Sequence, residues 1–127
     1  DDYVYFTSTN GGPSKNGQIW RYKHIGKRGV PGELELFFES DDKNILNMPD
    51  NITVMPWGDL LISEDGKGFD RLIILKQNGD SYTFAKNVYN KSEFAGATFF
   101  NDGNILFVNI YNPTMTFAIE GPWASIK

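Results

Sequence analysis

The chain contains no cysteine and a single histidine, His24, among its 127 residues. Without thiols it can form no disulfide, and it offers neither a thiolate metal ligand nor a cysteine nucleophile. A catalytic set that rests on several imidazoles is excluded for the same reason, and His24 stands in a basic loop beside lysine and arginine. The lack of cysteine does not indicate a compartment, because exported proteins can lack it as well.

Long apolar runs and an excess of positive charge are also missing. No stretch approaches the roughly 20 apolar residues of a membrane-spanning helix. The 12 basic and 16 acidic residues give a formal net charge of −4. A nucleic acid partner would require a basic face for its phosphates. The sequence therefore predicts neither a membrane span nor a nucleic acid partner.

What the chain does contain is an internal repeat. Residues 51–66 and 96–111 align without a gap, and their first positions lie 45 residues apart. Each copy is an apolar run, a tight turn (56–59 and 101–104) and a second apolar run. A repeat of roughly 40–50 residues is typical of β-propeller blades, which are four-stranded antiparallel sheets. The prediction is an all-β fold, a partial β-propeller of about two and a half to three blades, with little or no helix.

The repeat extends over the chain as three blade-like units, 1–48, 49–92 and 93–127. Second strands are predicted at 4–10, 60–66 and 105–111, third strands at 18–23, 71–76 and 116–121, and fourth strands at 34–39 and 81–85. The first unit then lacks its first strand and the third unit lacks its fourth. We therefore expect a fragment whose parent protein has a further N-terminal half. The open edges would be covered by the remaining blades or by a second copy.

The predicted turns determine the predicted register. Asn78-Gly79 favours a type I′ turn, and Pro31-Gly32 is the corresponding turn of the first unit. A two-residue turn centred on Trp57-Gly58 would place Asn51 opposite Glu64 and Asp50 opposite Asp65. Directly opposed side chains lie about 4.5–5.5 Å apart. Such carboxylates require a cation, a basic side chain or a shared proton between them.

The second copy of the repeat adds Glu93 to this group. Counting back from residues 101–104 places Gly96 opposite Asn109 and Glu93 opposite Asn112, at the same end as Asp50. Oxygen ligands of this kind suit calcium or another hard ion. The predicted metal ligands are Asp50, Asn51, Glu64, Asp65 and Glu93. The alternative is that Asp50 caps a turn, that Glu64 and Asp65 form a polar loop, and that Glu93 is solvated.

Two arginines are candidates for binding an anionic substrate. Arg21 and Arg71 occupy equivalent strands, and a guanidinium suits a phosphate or carboxylate group. The alternative for both residues is packing against neighbouring aromatic side chains.

Several strings in order along the chain carry a resemblance to a known family. They are VYFTSTNGG (4–12), GQIWRY (17–22), PDNITV (49–54), LISEDG (61–66), SEFAGA (92–97), LFVNI (106–110) and TFAIEGPW (116–123). Together they resemble the C-terminal part of bacterial PhoX-type alkaline phosphatases. The resemblance covers nearly the whole chain.

This resemblance implies a six-bladed β-propeller, exported through the twin-arginine route to the periplasm or the extracellular space. It implies hydrolysis of phosphate esters with calcium and iron bridged by an oxygen. Asp50 and Asn51 then correspond to ligands at a strand entry, and Glu93 to a carboxylate ligand. The family's cysteine ligand is absent from this sequence, so we expect the fragment alone to be inactive and to bind calcium weakly or not at all.

Two other functions fit the residues. A calcium-dependent lactonase-like propeller hydrolase also uses acidic and asparagine ligands at the propeller axis. A non-catalytic propeller module for binding or scaffolding would leave the same acidic residues solvated.

Overall fold

The computed structural model describes residues 3–100 and 103–126. This part of the chain contains ten β-strands and one short helix. In chain order they are β1 (Tyr3–Ser8), β2 (Gln18–Lys23), β3 (Glu33–Glu39), β4 (Pro49–Val54), β5 (Leu60–Glu64), β6 (Arg71–Leu75), β7 (Ser81–Lys86), β8 (Phe94–Phe100), β9 (Ile105–Ile110), β10 (Met115–Glu120) and α1 (Trp123–Ile126). The described residues include no helix with the length and hydrophobicity needed to cross a membrane.

The strands form three antiparallel sheets, each built from strands that are consecutive in the chain. The first sheet has the order β1-β2-β3, the second β4-β5-β6-β7 and the third β8-β9-β10. Short connections favour this arrangement, since strands that follow each other in sequence pair with each other. The all-β, blade-like architecture predicted from the repeat is confirmed.

The second sheet lies at the centre of the hydrophobic core. One of its faces contributes Leu61, Leu72 and Ile74 to a cluster that includes Leu106 and Val108 of the third sheet. Residues of its other face pack against the first sheet, in a second cluster of Ile19, Leu46, Leu60, Ile62, Ile73 and Leu75. Because both faces are covered, β5 and β6 are nearly continuous apolar runs rather than alternating ones.

The turn between β4 and β5 is one residue longer than predicted. The Met55 amide donates to the Asp59 carbonyl at 2.8 Å, and the Gly58 amide donates to the Met55 carbonyl at 2.8 Å. Gly58 has a φ of +98°, as the last residue of a three-residue hairpin loop often does. This turn pairs Val54 with Leu60, so the two-residue turn is wrong.

A β-bulge changes the register of this hairpin further along. Asn51 pairs with Ser63, whereas Pro49 pairs with Glu64, so Asp50 is the extra residue. A bulge leaves one residue unpaired and redirects its side chain. The predicted pairing of Asn51 with Glu64 is wrong because of the longer turn, and that of Asp50 with Asp65 is wrong because Asp50 is the bulged residue.

Two other predicted turns also differ. Between β6 and β7, the Lys76 amide donates to the Asp80 carbonyl at 2.8 Å. Only Gly79 of the intervening loop has a positive φ, so this is a second three-residue loop and not a type I′ turn. Between β2 and β3, the Val30 amide closes a turn on the Lys27 carbonyl at 3.2 Å. Pro31-Gly32 follows that turn instead of forming it.

The third-sheet hairpin keeps its predicted register beside the turn and loses it at a bulge. Phe100 pairs with Ile105, but beyond the irregularity at Gly96 the partner of Asn109 is Ala95. The Tyr111 amide donates to the Glu93 carbonyl at 3.1 Å, so Asn112 is not the residue opposite Glu93. Asn101 and Asp102 of the predicted turn lie outside the described residues.

Candidate functional site

Three of the predicted carboxylates lie at the same end of the sheets. Asp50 is the bulged residue of β4, Asp65 directly follows β5, and Glu93 directly precedes β8. Backbone hydrogen bonds fix the last two, since the Asp65 amide donates to the Met48 carbonyl at 2.9 Å and the Glu93 carbonyl accepts the Tyr111 amide at 3.1 Å. The ends of β4, β5 and β8 thus bring together three carboxylates that are distant in sequence.

Glu93 shows that these groups affect each other electrostatically. Partial burial raises the pKa of its carboxyl group, and the negative charges of Asp65, Asp50 and Asp70 raise it further. Both effects disfavour the ionised form, because it loses hydration and faces like charges. The structure therefore brings Asp50, Asp65 and Glu93 within electrostatic reach of each other, and it adds Asp70.

Asp70 is a buried acid that sequence reasoning missed. Its side chain is 3% exposed, and burial is the main cause of its raised pKa, with smaller contributions from Asp65 and Glu64. The Gly66 amide donates to its Oδ1 at 2.8 Å and partly compensates. The one feature of the sequence that could have indicated its burial is its position directly before the apolar strand β6.

A cavity of about 590 Å³ opens beside Glu93. Its walls come from the two loops at residues 90–93 and 111–113 and from Asp65 after β5, and they carry polar groups that include Lys91, Ser92, Glu93 and Asn112. The Asn112 amide donates to the Ser92 Oγ at 2.8 Å and joins the two loops. The cavity therefore has a defined shape and contains both a cation and carboxylates.

The first of these loops is organised by buried Asn87. Its Nδ2 donates to the Asn90 Oδ1 and to the Ser92 carbonyl, both at 2.7 Å. Its Oδ1 accepts the amides of Tyr89 at 3.0 Å and Asn90 at 3.2 Å. A side chain that replaces backbone hydrogen bonds in this way fixes the path of a loop. Asn87 thereby positions the segment that carries Lys91, Ser92 and Glu93.

Asn51 connects the second and third sheets. Its Nδ2 donates to the Asp50 Oδ2 at 2.7 Å, and its Oδ1 accepts the Gly96 amide at 3.1 Å. The side chain is thus engaged at both ends. Its observed contacts are those of a residue that positions Asp50 relative to β8.

Glu64 is compensated by a basic side chain, one of the three solutions that the sequence left open. Its side chain is 3% exposed, and Arg71 donates to it twice, from Nε to Oε2 at 2.7 Å and from Nη2 to Oε1 at 2.6 Å. The Asn47 amide also donates to Oε1 at 2.7 Å. Both carboxylate oxygens are therefore satisfied within the protein, as a buried charge requires.

Both candidate substrate-binding arginines are engaged inside the fold. Arg71 pairs with Glu64, and Arg21 donates to Glu35 at 2.8 Å while its guanidinium lies 4.5 Å from the Tyr3 ring centroid and 4.9 Å from that of Phe37. The hydrogen bond to Glu35 is the main reason that the pKa of Arg21 is raised. Substrate binding by Arg21 and Arg71 stays a prediction.

The five predicted metal ligands do not surround one ion. Glu64 is paired with Arg71, and the side-chain Oδ1 of Asn51 accepts the backbone amide of Gly96. Across residues 3–100 and 103–126, no group of three or more histidine, cysteine or acidic side chains is arranged to hold a metal. The set of donors in the described residues therefore does not fit a complete metal centre. Metal ligation by Asp50, Asn51, Glu64, Asp65 and Glu93 stays a prediction.

Comparison with known proteins places the chain in a family. The family model described as "Alkaline phosphatase PhoX" matches residues 1–114. No curated protein matches the chain, and no solved structure does. The chain belongs to the PhoX alkaline phosphatase family, which confirms the resemblance seen in its sequence strings.

Proposed function

We propose that the chain forms part of a phosphatase that hydrolyses phosphate esters, and that the cavity beside Glu93 receives the phosphoryl group. Membership of the PhoX family supports the reaction class. The half-buried Glu93 carboxyl group, which shares a polar cavity with Lys91 and Ser92, is the observation that supports the location. The family match favours this function over the lactonase-like and scaffold alternatives.

The residues of the cavity have the chemistry that a phosphate ester requires. The Lys91 ammonium group supplies positive charge for non-bridging phosphoryl oxygens. The Ser92 Oγ accepts the Asn112 amide, which leaves its hydroxyl proton free for donation. Partial burial and the neighbouring acids raise the pKa of the Glu93 carboxyl group, which is the direction that suits a general acid donating a proton to the departing alcohol oxygen.

Metal dependence belongs to the same proposal. Oxygen donors favour calcium, with iron as the second metal that the family resemblance implies. The described residues would supply at most part of such a centre. A propeller architecture for the whole molecule, with export to the periplasm or the extracellular space, completes the proposal.

The test is hydrolysis of p-nitrophenyl phosphate by the intact protein, with calcium and iron added or with a chelator. We expect Glu93→Gln and Lys91→Met each to lower kcat/KM at least tenfold, whereas the exposed pair Glu120→Gln and Lys27→Met should change it less than twofold. Chelation should abolish turnover. Lactone hydrolysis with calcium alone, and no phosphate ester turnover, would contradict the proposal in favour of the lactonase alternative.

A further inference from the structure

A second, smaller cavity lies between the loop of residues 41–48 and the ends of β5, β6 and β7. Its volume is about 250 Å³, and it shares no lining residue with the cavity beside Glu93. We call it the lysine pocket, because three of its walls carry Lys43, Lys67 and Lys86. Arg71, Glu64 and Asp70 also line it.

Hydrogen bonds of Arg71 organise the base of the lysine pocket. Arg71 binds Glu64 with two hydrogen bonds and also donates to the carbonyls of Asn44 at 2.6 Å and Lys43 at 2.9 Å. The covering loop is thereby tied to the sheet, and the backbone of Lys43 is held in place. A binding site formed in advance loses less entropy when it binds a ligand.

The charges of the lysine pocket are unbalanced. Glu64 and Arg71 neutralise each other, which leaves three ammonium groups and the buried carboxyl group of Asp70. Among the described residues, neither Lys43, Lys67 nor Lys86 forms an ion pair. The Nζ of Lys86 lies 5.6 Å from the ring centroid of Phe69, which holds it at the pocket. The surplus of positive charge occurs in a chain whose formal net charge is −4.

We propose that the lysine pocket binds a phosphate dianion, either inorganic phosphate or the phosphoryl group of a small phosphate monoester. Ammonium groups around one cavity repel each other, and an anion between them removes that repulsion. Three ammonium groups opposed by one carboxyl group match a doubly charged ligand better than a singly charged one. Lysine binds phosphate as a point charge, without the planar geometry that arginine imposes.

The size of the pocket limits the ligand. Cavities for drug-sized molecules are about 300–1,000 Å³, and this one, at about 250 Å³, lies below that range. A phosphate with a small alcohol group therefore suits it, and a polymer does not. The site is separate from the proposed hydrolytic cavity, so its occupancy does not depend on the proposed function.

The test is a calorimetric titration of the intact protein with inorganic phosphate, at low ionic strength and with a chelator present. We compare a pocket variant, Lys43→Gln/Lys67→Gln/Lys86→Gln, with a control, Lys15→Gln/Lys27→Gln/Arg28→Gln, which removes the same charge from exposed positions outside the pocket. The pocket variant should weaken the dissociation constant for phosphate at least tenfold and the control less than twofold. Thermal melts of both variants verify that they are folded.

A competing phosphate ester and a variant of the other cavity identify the chemical form of the ligand and the cavity that binds it. Phenyl phosphate competing with inorganic phosphate would indicate a monoester site, whereas binding of inorganic phosphate alone would indicate the free ion. Equal weakening in the pocket and control variants would overturn the proposal, because it would show attraction to net charge only. Loss of binding in Lys91→Met with retention in the pocket variant would also overturn it, since phosphate would then occupy the cavity beside Glu93. Absence of binding to the unaltered protein would overturn it directly.

Discussion

The second and third sheets use equivalent positions for different chemistry. Glu64 and Arg71 form a buried ion pair between β5 and β6. The residues 45 positions later are Asn109 and Thr116, and the Thr116 Oγ1 donates to the Asn109 Oδ1 at 2.7 Å. Each contact joins neighbouring strands at the same step of the repeat, since Thr116 pairs with Asn109, and Arg71 and Glu64 lie one position beyond the Leu72–Ser63 pair. One contact is charged and the other is neutral.

The surroundings explain this difference. Arg71 has a loop above it, residues 41–48, whose carbonyls accept two of its hydrogen bonds. Thr116 is exposed, and its Oγ1 donates to the Asn109 side chain. The two sheets thus use the same pair of strand positions for a cross-strand contact. The contact is charged in the second sheet, where the guanidinium of Arg71 also binds the carbonyls of the covering loop.

Breaking the ion pair should have the largest effect. We expect Arg71→Met to lower the free energy of unfolding by about 3–5 kcal/mol, because the Glu64 charge would remain buried without its basic partner. Thr116→Val, at the equivalent position, should cost about 1 kcal/mol. Urea unfolding measures both. The double variant Glu64→Asn/Arg71→Thr, which copies the neutral contact, should be more stable than Arg71→Met. If it is less stable, the equivalence of the two positions is wrong.

Truncation of a core side chain should lower the free energy of unfolding by a slightly smaller amount. Leu72 in β6 is fully buried, whereas Phe117, 45 residues later in β10, is 43% exposed. Leu72→Ala should cost about 2–5 kcal/mol through lost burial and the cavity left behind. Phe117→Ala should cost about 1–2 kcal/mol although it removes more atoms, because a large part of that ring is already hydrated. Equal costs in thermal or urea unfolding would show that β10 is covered in solution.

The contact between equivalent residues of the two repeats should have a moderate effect. Asn51 and Gly96 lie 45 positions apart and bind each other through the Gly96 amide. Asn51→Ala should cost about 0.5–1.5 kcal/mol, the usual contribution of one hydrogen bond. Amide exchange at Gly96 should become faster in that variant, while exchange at Gly103, in the adjacent turn, should not change. Unchanged exchange at Gly96 would contradict the contact.

The smallest effect concerns pH. Glu93 lies 45 residues after Met48, and its pKa is raised in the folded protein above the ordinary value of about 4.5. The folded chain therefore binds this proton more tightly than the unfolded chain does. Stability from this group is fully present below about pH 4.5 and is lost as pH rises through the raised pKa.

Glu93→Gln should consequently be more stable than the unaltered protein at pH 7, by about 0.2–1 kcal/mol for a partly solvated charge. The difference should vanish near pH 4, where Glu93 is protonated. Thermal melts at both pH values measure it. A variant that is less stable than the unaltered protein at pH 7 would mean that Glu93 has a favourable partner in solution.

Several features of the fold and site could be predicted from sequence, and others depended on small local irregularities. The strands at Gln18–Lys23 and Arg71–Leu75 follow directly from their apolar and β-branched residues. The pairing of Asn51 could not be predicted, because one extra turn residue moves the register by a single position, and the bulge at Asp50 moves it by one more at Pro49. A strand slipped by one residue looks almost the same in sequence, although its side chains face the opposite way.

The candidate site also has features that could be predicted from sequence and features that could not. The sequence indicated that Asp50, Asp65 and Glu93 belong at one end, since each lies beside the edge of a strand in consecutive units. It could not indicate that Glu64 would turn to Arg71, because that depends on a loop whose carbonyls accept hydrogen bonds from the same guanidinium. Nor could it indicate the buried carboxyl group of Asp70, whose surroundings come from packing.

The amino-acid sequence by itself determined the strands, the 45-residue repeat and the family, because these depend on local residue patterns that tolerate small shifts. Only the tertiary structure decided which carboxylates are paired, which remain near the cavity and where three lysines meet. Charges interact over a few ångströms, so a displacement of one residue by a bulge or a loop is enough to change their partners.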